Sequence, residues 1–120
     1  MTTTINIKGH KDKQSKMDAF NQGRYVEKVN TCNTNGIQIY SRLKTEIQNL
    51  IHFNVNNAEL NIFRHELKYL NQMYYKKTDI IEAILNTIYE ELELEKAGYF
   101  VVLDKYFNKY VIWLIKSNIN

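Results

Sequence analysis

"YEELELEKAGYFVVLDKYFNKYVIWLIK", residues 89–116, sets an acidic segment directly against a stretch that is apolar at nearly every position. Gly98 divides the two and suits a helix terminator, because glycine readily takes the left-handed backbone that closes a helix. Beyond it, "YFVVLD" (99–104) and "KYVIWLIK" (109–116) are rich in aromatic and β-branched residues and predict two strands. "KYFN" (105–108) connects them, with Asn108 suited to a left-handed turn position. A C-terminal β-hairpin is the expectation.

The two faces of that hairpin constrain everything else. Tyr99, Val101 and Leu103 point one way, and Phe100, Val102 and Asp104 the other. Tyr110, Ile112 and Leu114 alternate in the same way with Val111, Trp113 and Ile115. Both faces are therefore apolar, whereas a hairpin lying on a helical layer shows one polar face. One face is expected on the helices. The other needs a cover, supplied by residues 3–29, by a second copy or by a different protein.

Working back from the hairpin, three amphipathic helices are predicted, over about 37–53, 57–75 and 79–96. In the first, Tyr40, Leu43, Ile47, Leu50 and Ile51 recur at helical spacing. "NVNN" (54–57) breaks it, and Asn56 with Glu59 has the spacing of a helix cap with its reciprocal acid. The second carries Leu60, Phe63, Leu67, Leu70 and Tyr74 in steps of three and four. The third has Ile81, Leu85, Ile88 and Leu92, with Thr78 as its cap and Asp79 at the positive dipole end. "TTINI" (3–7) suits a short strand, while the rest of residues 1–35 is basic and reads as a loosely ordered segment. The fold class is α+β: a single domain over 1–120, its folded core beginning at residue 36.

Charge is unevenly placed. The chain carries a net +3, yet residues 79–97 hold six acids against one lysine. Cys32 is the only cysteine, which excludes an intramolecular disulfide and points to a reducing, cytoplasmic location. The longest apolar run, "YVIWLI" (110–115), is far short of the roughly 20 residues that span a bilayer, so no membrane partner is expected. Asn, Ile, Lys, Tyr and Phe make up 56 of 120 residues, which points to an A/T-rich genome such as that of a phage or other mobile element.

No catalytic or cofactor signature stands out. His10, His52, His65 and Cys32 lack metal-ligand spacing, and the four glycines form no phosphate-binding loop. An enzyme is not expected, nor a cofactor. "RHE" (64–66) reads as a helical surface stretch pairing with Lys68 and Asn61. Tyr69, Tyr74 and Tyr75 cluster with Lys68, Lys76 and Lys77, a pattern that stacks bases or, more commonly, buries rings at a core rim.

The partner-binding candidates are the hairpin tip and the acidic helix end beside it in sequence. At the tip, Lys105, Tyr106, Phe107 and Lys109 set two aromatics between two cations, the make-up of an energetically dominant interface patch. Glu90, Glu91, Glu93 and Glu95 would steer a basic surface toward it. The expected function is a small, non-enzymatic protein-binding module, a regulator or inhibitor, whose partner is another protein or a second copy in a homodimer. The alternative is a nucleic-acid-binding regulator, because three helices and a hairpin are also the order of a winged-helix domain, with "DKYFNK" as its wing. In that arrangement the helix before the hairpin enters the major groove, and here that helix is acidic.

Overall fold

Leu43 and Ile47 lie one helical turn apart and are fully buried, anchoring a 19-residue helix, α1 (Thr34–His52). The computed structural model describes residues 3–9, 34–67 and 77–117. Helix α1 matches the expected first helix. It stops where Asn54 takes a left-handed φ of 57° and Val55 N–H donates back to the Leu50 carbonyl at 3.1 Å.

The next segment departs from expectation. Residues 57–63 form a strand, β2 (Asn57–Phe63), and only Arg64–Leu67 is helical, as the short α2. The predicted helix over 57–75 is thus overturned for its first turns, and its remainder from residue 68 lies outside the described residues. "NAELNIF" holds two periods at once. Ala58, Leu60 and Ile62 alternate with Asn57, Glu59 and Asn61, so the strand reading was also present. The free edge of the hairpin decides between them, because pairing there satisfies a row of backbone groups. The predicted helical stripe consequently splits. Leu60 is buried while Phe63 on the opposite face is 46% exposed. Glu59 is not a helix cap; it accepts a hydrogen bond from Asn61 Nδ2 at 3.2 Å.

Helix α3 (Lys77–Glu91) follows the predicted third helix, but it is interior rather than amphipathic. Ile80, Ile81, Ala83, Ile84, Leu85, Ile88 and Tyr89 are all buried. The chain then breaks at Glu93, left-handed at φ 51°, before the short α4 (Leu94–Ala97). The helix does not run on through Leu94, which an unbroken helix would place about 240° round from Ile88. After the break Leu94 is fully buried, and burial of a leucine outweighs the roughly 1 kcal/mol cost of one left-handed residue. Gly98 closes α4 at φ 83°, as expected of a terminator.

The hairpin forms as β3 (Tyr99–Lys105) and β4 (Lys109–Lys116). It sits at the centre of a four-stranded antiparallel sheet ordered β1-β3-β4-β2, with β1 (Thr3–Ile7) on the far edge. The register lines up Ile5, Leu103, Ile112 and Leu60 across all four strands, and Ile7, Val101, Leu114 and Ala58 beside them. These rows face α1 and α3 and build the core with them. On the outer face the rows are Thr4, Asp104, Val111, Asn61; then Asn6, Val102, Trp113, Glu59; and, at the base, Phe100, Ile115, Asn57, with Phe100 half exposed. Polar edge strands thus frame a narrow apolar strip. The N-terminal strand extends the sheet beside β3 rather than lying over the hairpin's outer face, and residues 10–29 of the expected cover lie outside the described residues.

After β1 the backbone turns onto α3. Gly9, at φ 78°, donates its N–H to Asn86 Oδ1 at 3.1 Å, partnering the buried amide oxygen of α3. A Cβ at Gly9 would lie 3.0 Å from Glu90 Cγ, so the Glu90 side chain would have to give way, and the positive φ strains any residue but glycine there.

Candidate partner-binding site

The hairpin has two ends, and the structure sends the predicted site residues to opposite ones. Lys105, Tyr106, Phe107 and Lys109 stand where β3 turns into β4, while the acidic residues precede the start of β3. A seven-residue strand separates them, roughly 20 Å at the usual rise. Tip and glutamates do not form one patch.

At the acidic end, which we call the base, the charges are tied up locally. Glu91 accepts from the Tyr40 hydroxyl and pairs with Lys44 Nζ at 3.1 Å. Burial and the neighbouring Glu91 push the Tyr40 phenol above its ordinary value. The hydrogen bond to Glu91, reinforced by Tyr40, raises the Lys44 ammonium too. Glu93 pairs with Lys96 at 3.0 Å, and Glu90 and Glu95 also have partners. Tyr99, buried, donates its hydroxyl to the Val55 carbonyl at 2.8 Å, and Lys116 reaches Asn54 Oδ1. The polar groups of the base are thus engaged within the molecule, while Phe53 and Phe100 leave apolar surface exposed there, at 74% and 49%.

The tip is different. Phe107 is 96% exposed and Tyr106 38% exposed. The loop holding them is nonetheless fixed: Tyr106 N–H donates to the Lys109 carbonyl at 2.9 Å, and Arg64 N–H to the Asn108 carbonyl at 3.1 Å. Asn108 does not take the left-handed conformation expected from sequence; among the described residues only Asn54 and Glu93 do so without being glycine. The Arg64 bond brings in a second segment. Phe63 is the cross-strand partner of Lys109, and its ring lies 6.1 Å from that of His65 with an interplanar angle of 7°.

Phe63, Arg64 and His65 therefore join the tip; Arg64 and His65 are helical as expected, whereas Phe63, expected on the helical stripe, ends β2. The signal that could have found them is the alternation in "NAELNIF", which puts Phe63 on the outer face. Glu66 was expected near Lys68 and Asn61. Instead it accepts the Phe63 N–H at 3.0 Å and pairs with Arg42 at 2.9 Å. Arg42 also donates to the Asn61 carbonyl at 3.2 Å, so the two side chains cover backbone groups on the free edge of β2.

The remaining candidates separate. His52 packs edge-on to Phe53 at the end of α1, at the base and far from His65. His10, Cys32 and the Tyr69, Tyr74, Tyr75 cluster lie outside the described residues. Among the described residues no three His, Cys, Asp or Glu side chains converge as a metal set, and no helix is long and apolar enough to cross a membrane. Comparison with family models, with characterised proteins and with solved structures finds no match to this chain.

Proposed function

We propose that the protein is a small non-enzymatic binding module that holds another protein through its hairpin tip. The observation that carries the reading is Phe107, almost wholly exposed on a loop that main-chain hydrogen bonds fix from both sides. A rigid aromatic loses little entropy on docking and removes much apolar surface from water, which is how a few residues dominate an interface. A regulator or inhibitor from a mobile element fits the size and composition of the chain.

The test is affinity capture from a lysate of the source cells, with nuclease treatment and with the double variant Tyr106→Ala, Phe107→Ala. A specific protein retained by the native chain after nuclease, and lost by the double variant at unchanged melting temperature, supports the reading. Retention by both overturns the tip as the site. Light scattering on the purified chain tells whether the partner is a second copy.

Nucleic-acid binding of winged-helix type is the second reading, favoured by a basic, aromatic loop on a hairpin that follows the helices. Weighing against it, the helix before the hairpin is buried along most of its length and acidic at its end. Weak, sequence-insensitive DNA binding that fades with salt is expected. A tight, sequence-selective complex near physiological salt reverses the ranking.

A further inference from the structure

We infer that the tip and the β2–α2 corner form one composite patch, and that its occupant is a short acidic segment of a partner protein bearing an apolar side chain. This rests on the protein-binding reading and adds the chemistry of the partner.

The patch is continuous by construction. Phe63 lies beside Lys109 across the sheet, and the Arg64–Asn108 main-chain bond holds the corner against the loop. Phe63, Tyr106 and Phe107 supply its apolar surface, all partly or wholly exposed. Lys109 shares the outer face with Phe63, Arg64 follows Phe63 in the chain, and Lys105 ends β3 on the opposite face, across from Tyr110; none of the three has a carboxylate partner among the described residues.

The acids nearest in sequence are already engaged. Asp104 accepts from the Thr4 hydroxyl at 2.7 Å and from Trp113 Nε1 at 2.8 Å. Glu66 is held by Arg42 and by the Phe63 N–H. Elsewhere Arg42, Lys44 and Lys96 are paired with carboxylates, while Lys8, Lys77 and Lys116 have no such partner among the described residues but lie away from the exposed rings of the tip in the chain. Positive charge left unmatched beside exposed rings is complementary to an anionic, partly apolar ligand.

Extent favours peptide over nucleic acid. The three cations described at this end are too few to follow a long phosphate backbone, whose non-specific affinity comes from many such contacts. A strand of nucleic acid continuing across the outer face would meet Glu59, and beyond the sheet the acidic base. A segment of a few residues stays within the patch.

The experiment is an NMR titration of the full chain with four probes. These are a 12-residue peptide of glutamates carrying one Leu and one Trp, its lysine counterpart, a 12-nucleotide single strand and a 12-base-pair duplex. Shifts confined to residues 63–65 and 105–109, produced by the glutamate peptide and not by the lysine one, are expected. The pair Arg64→Glu, Lys109→Glu should weaken that binding at least tenfold, with folding checked by circular dichroism. Absent shifts, shifts centred elsewhere, insensitivity to charge reversal, or tighter binding of either nucleic acid each overturn the inference. If the captured natural partner is lost on Phe107→Ala but kept on charge reversal, only the acidic assignment falls. If it survives both changes, the tip reading falls with it.

Discussion

The two ends of the hairpin are built from similar residues and used in opposite ways. Both hold tyrosine, phenylalanine and lysine. At the base, Tyr99 is buried with its hydroxyl bonded to the chain leaving α1, and the neighbouring charges are neutralised within the molecule. At the tip, Tyr106 and Phe107 face outward and three cations lack partners among the described residues. Side chains committed to each other have no capacity left for a ligand. What sets the tip apart is exposed rings together with unmatched cations; at the base Phe53 and Phe100 are exposed as well, but the acids there are engaged.

Substituting the same residue type at each end gives the largest expected contrast. Tyr99→Ala should cost about 3 kcal/mol, because it empties a buried ring site in the core. Tyr106→Ala should stay within about 0.5 kcal/mol, as an exposed loop position. Urea denaturation of the two variants measures both. Comparable losses would remove the distinction between the ends.

Next in size is an effect on binding alone. Phe107→Ala should reduce partner affinity by about 2 kcal/mol or more, some thirtyfold, without moving the denaturation midpoint. Calorimetry with the captured partner reads it, and an unchanged affinity places the interface elsewhere. Tyr99→Phe separates ring from hydroxyl at the base. It should cost about 1 kcal/mol through loss of the bond to the Val55 carbonyl.

The smallest effect is electrostatic. Tyr40 and Lys44 both hold their protons more tightly in the fold than free. Their contribution is therefore complete below the ordinary tyrosine and lysine values and is lost as pH climbs through the raised ones. Glu91→Gln should cost about 0.5 kcal/mol at neutral pH, in keeping with a partly exposed pair. It should also flatten the alkaline fall in stability, measured as melting temperature from pH 8 to 11. An alkaline limb identical to that of the native chain would show that Glu91 is not the group responsible.

Much of this architecture was legible in the residues. The heptad-like recurrence of Leu43 and Ile47 marked α1, and Gly98 with the aromatic and β-branched runs after it marked the hairpin to within a residue. Even the inward and outward sets of β3 and β4 follow from alternation, since side chains on a strand point to opposite faces without exception. The misreading over 57–63 has a specific cause. Leu60 and Phe63 satisfy a helical step of three, while Ala58, Leu60 and Ile62 satisfy a strand step of two. Local pattern ranks both alike, and nothing within the segment says that β4 has an open edge.

The site divides along the same line. Composition and spacing determined that this chain forms an α+β unit, that its hairpin is apolar on both faces, and that Tyr106 and Phe107 occupy the turn between cations. Those are local properties, carried by a few consecutive residues. Only the tertiary structure decided that the glutamates lie a strand's length from the tip, and that Phe63, Arg64 and His65 lie beside it. Sequence neighbours at the two ends of a strand are held apart by its rigid rise, whereas β2 reaches the tip because backbone hydrogen bonding to β4 sets its register. Such pairing joins segments more than forty residues apart in the chain, at Phe63 and Lys109, and depends on which edges remain open once the rest has folded.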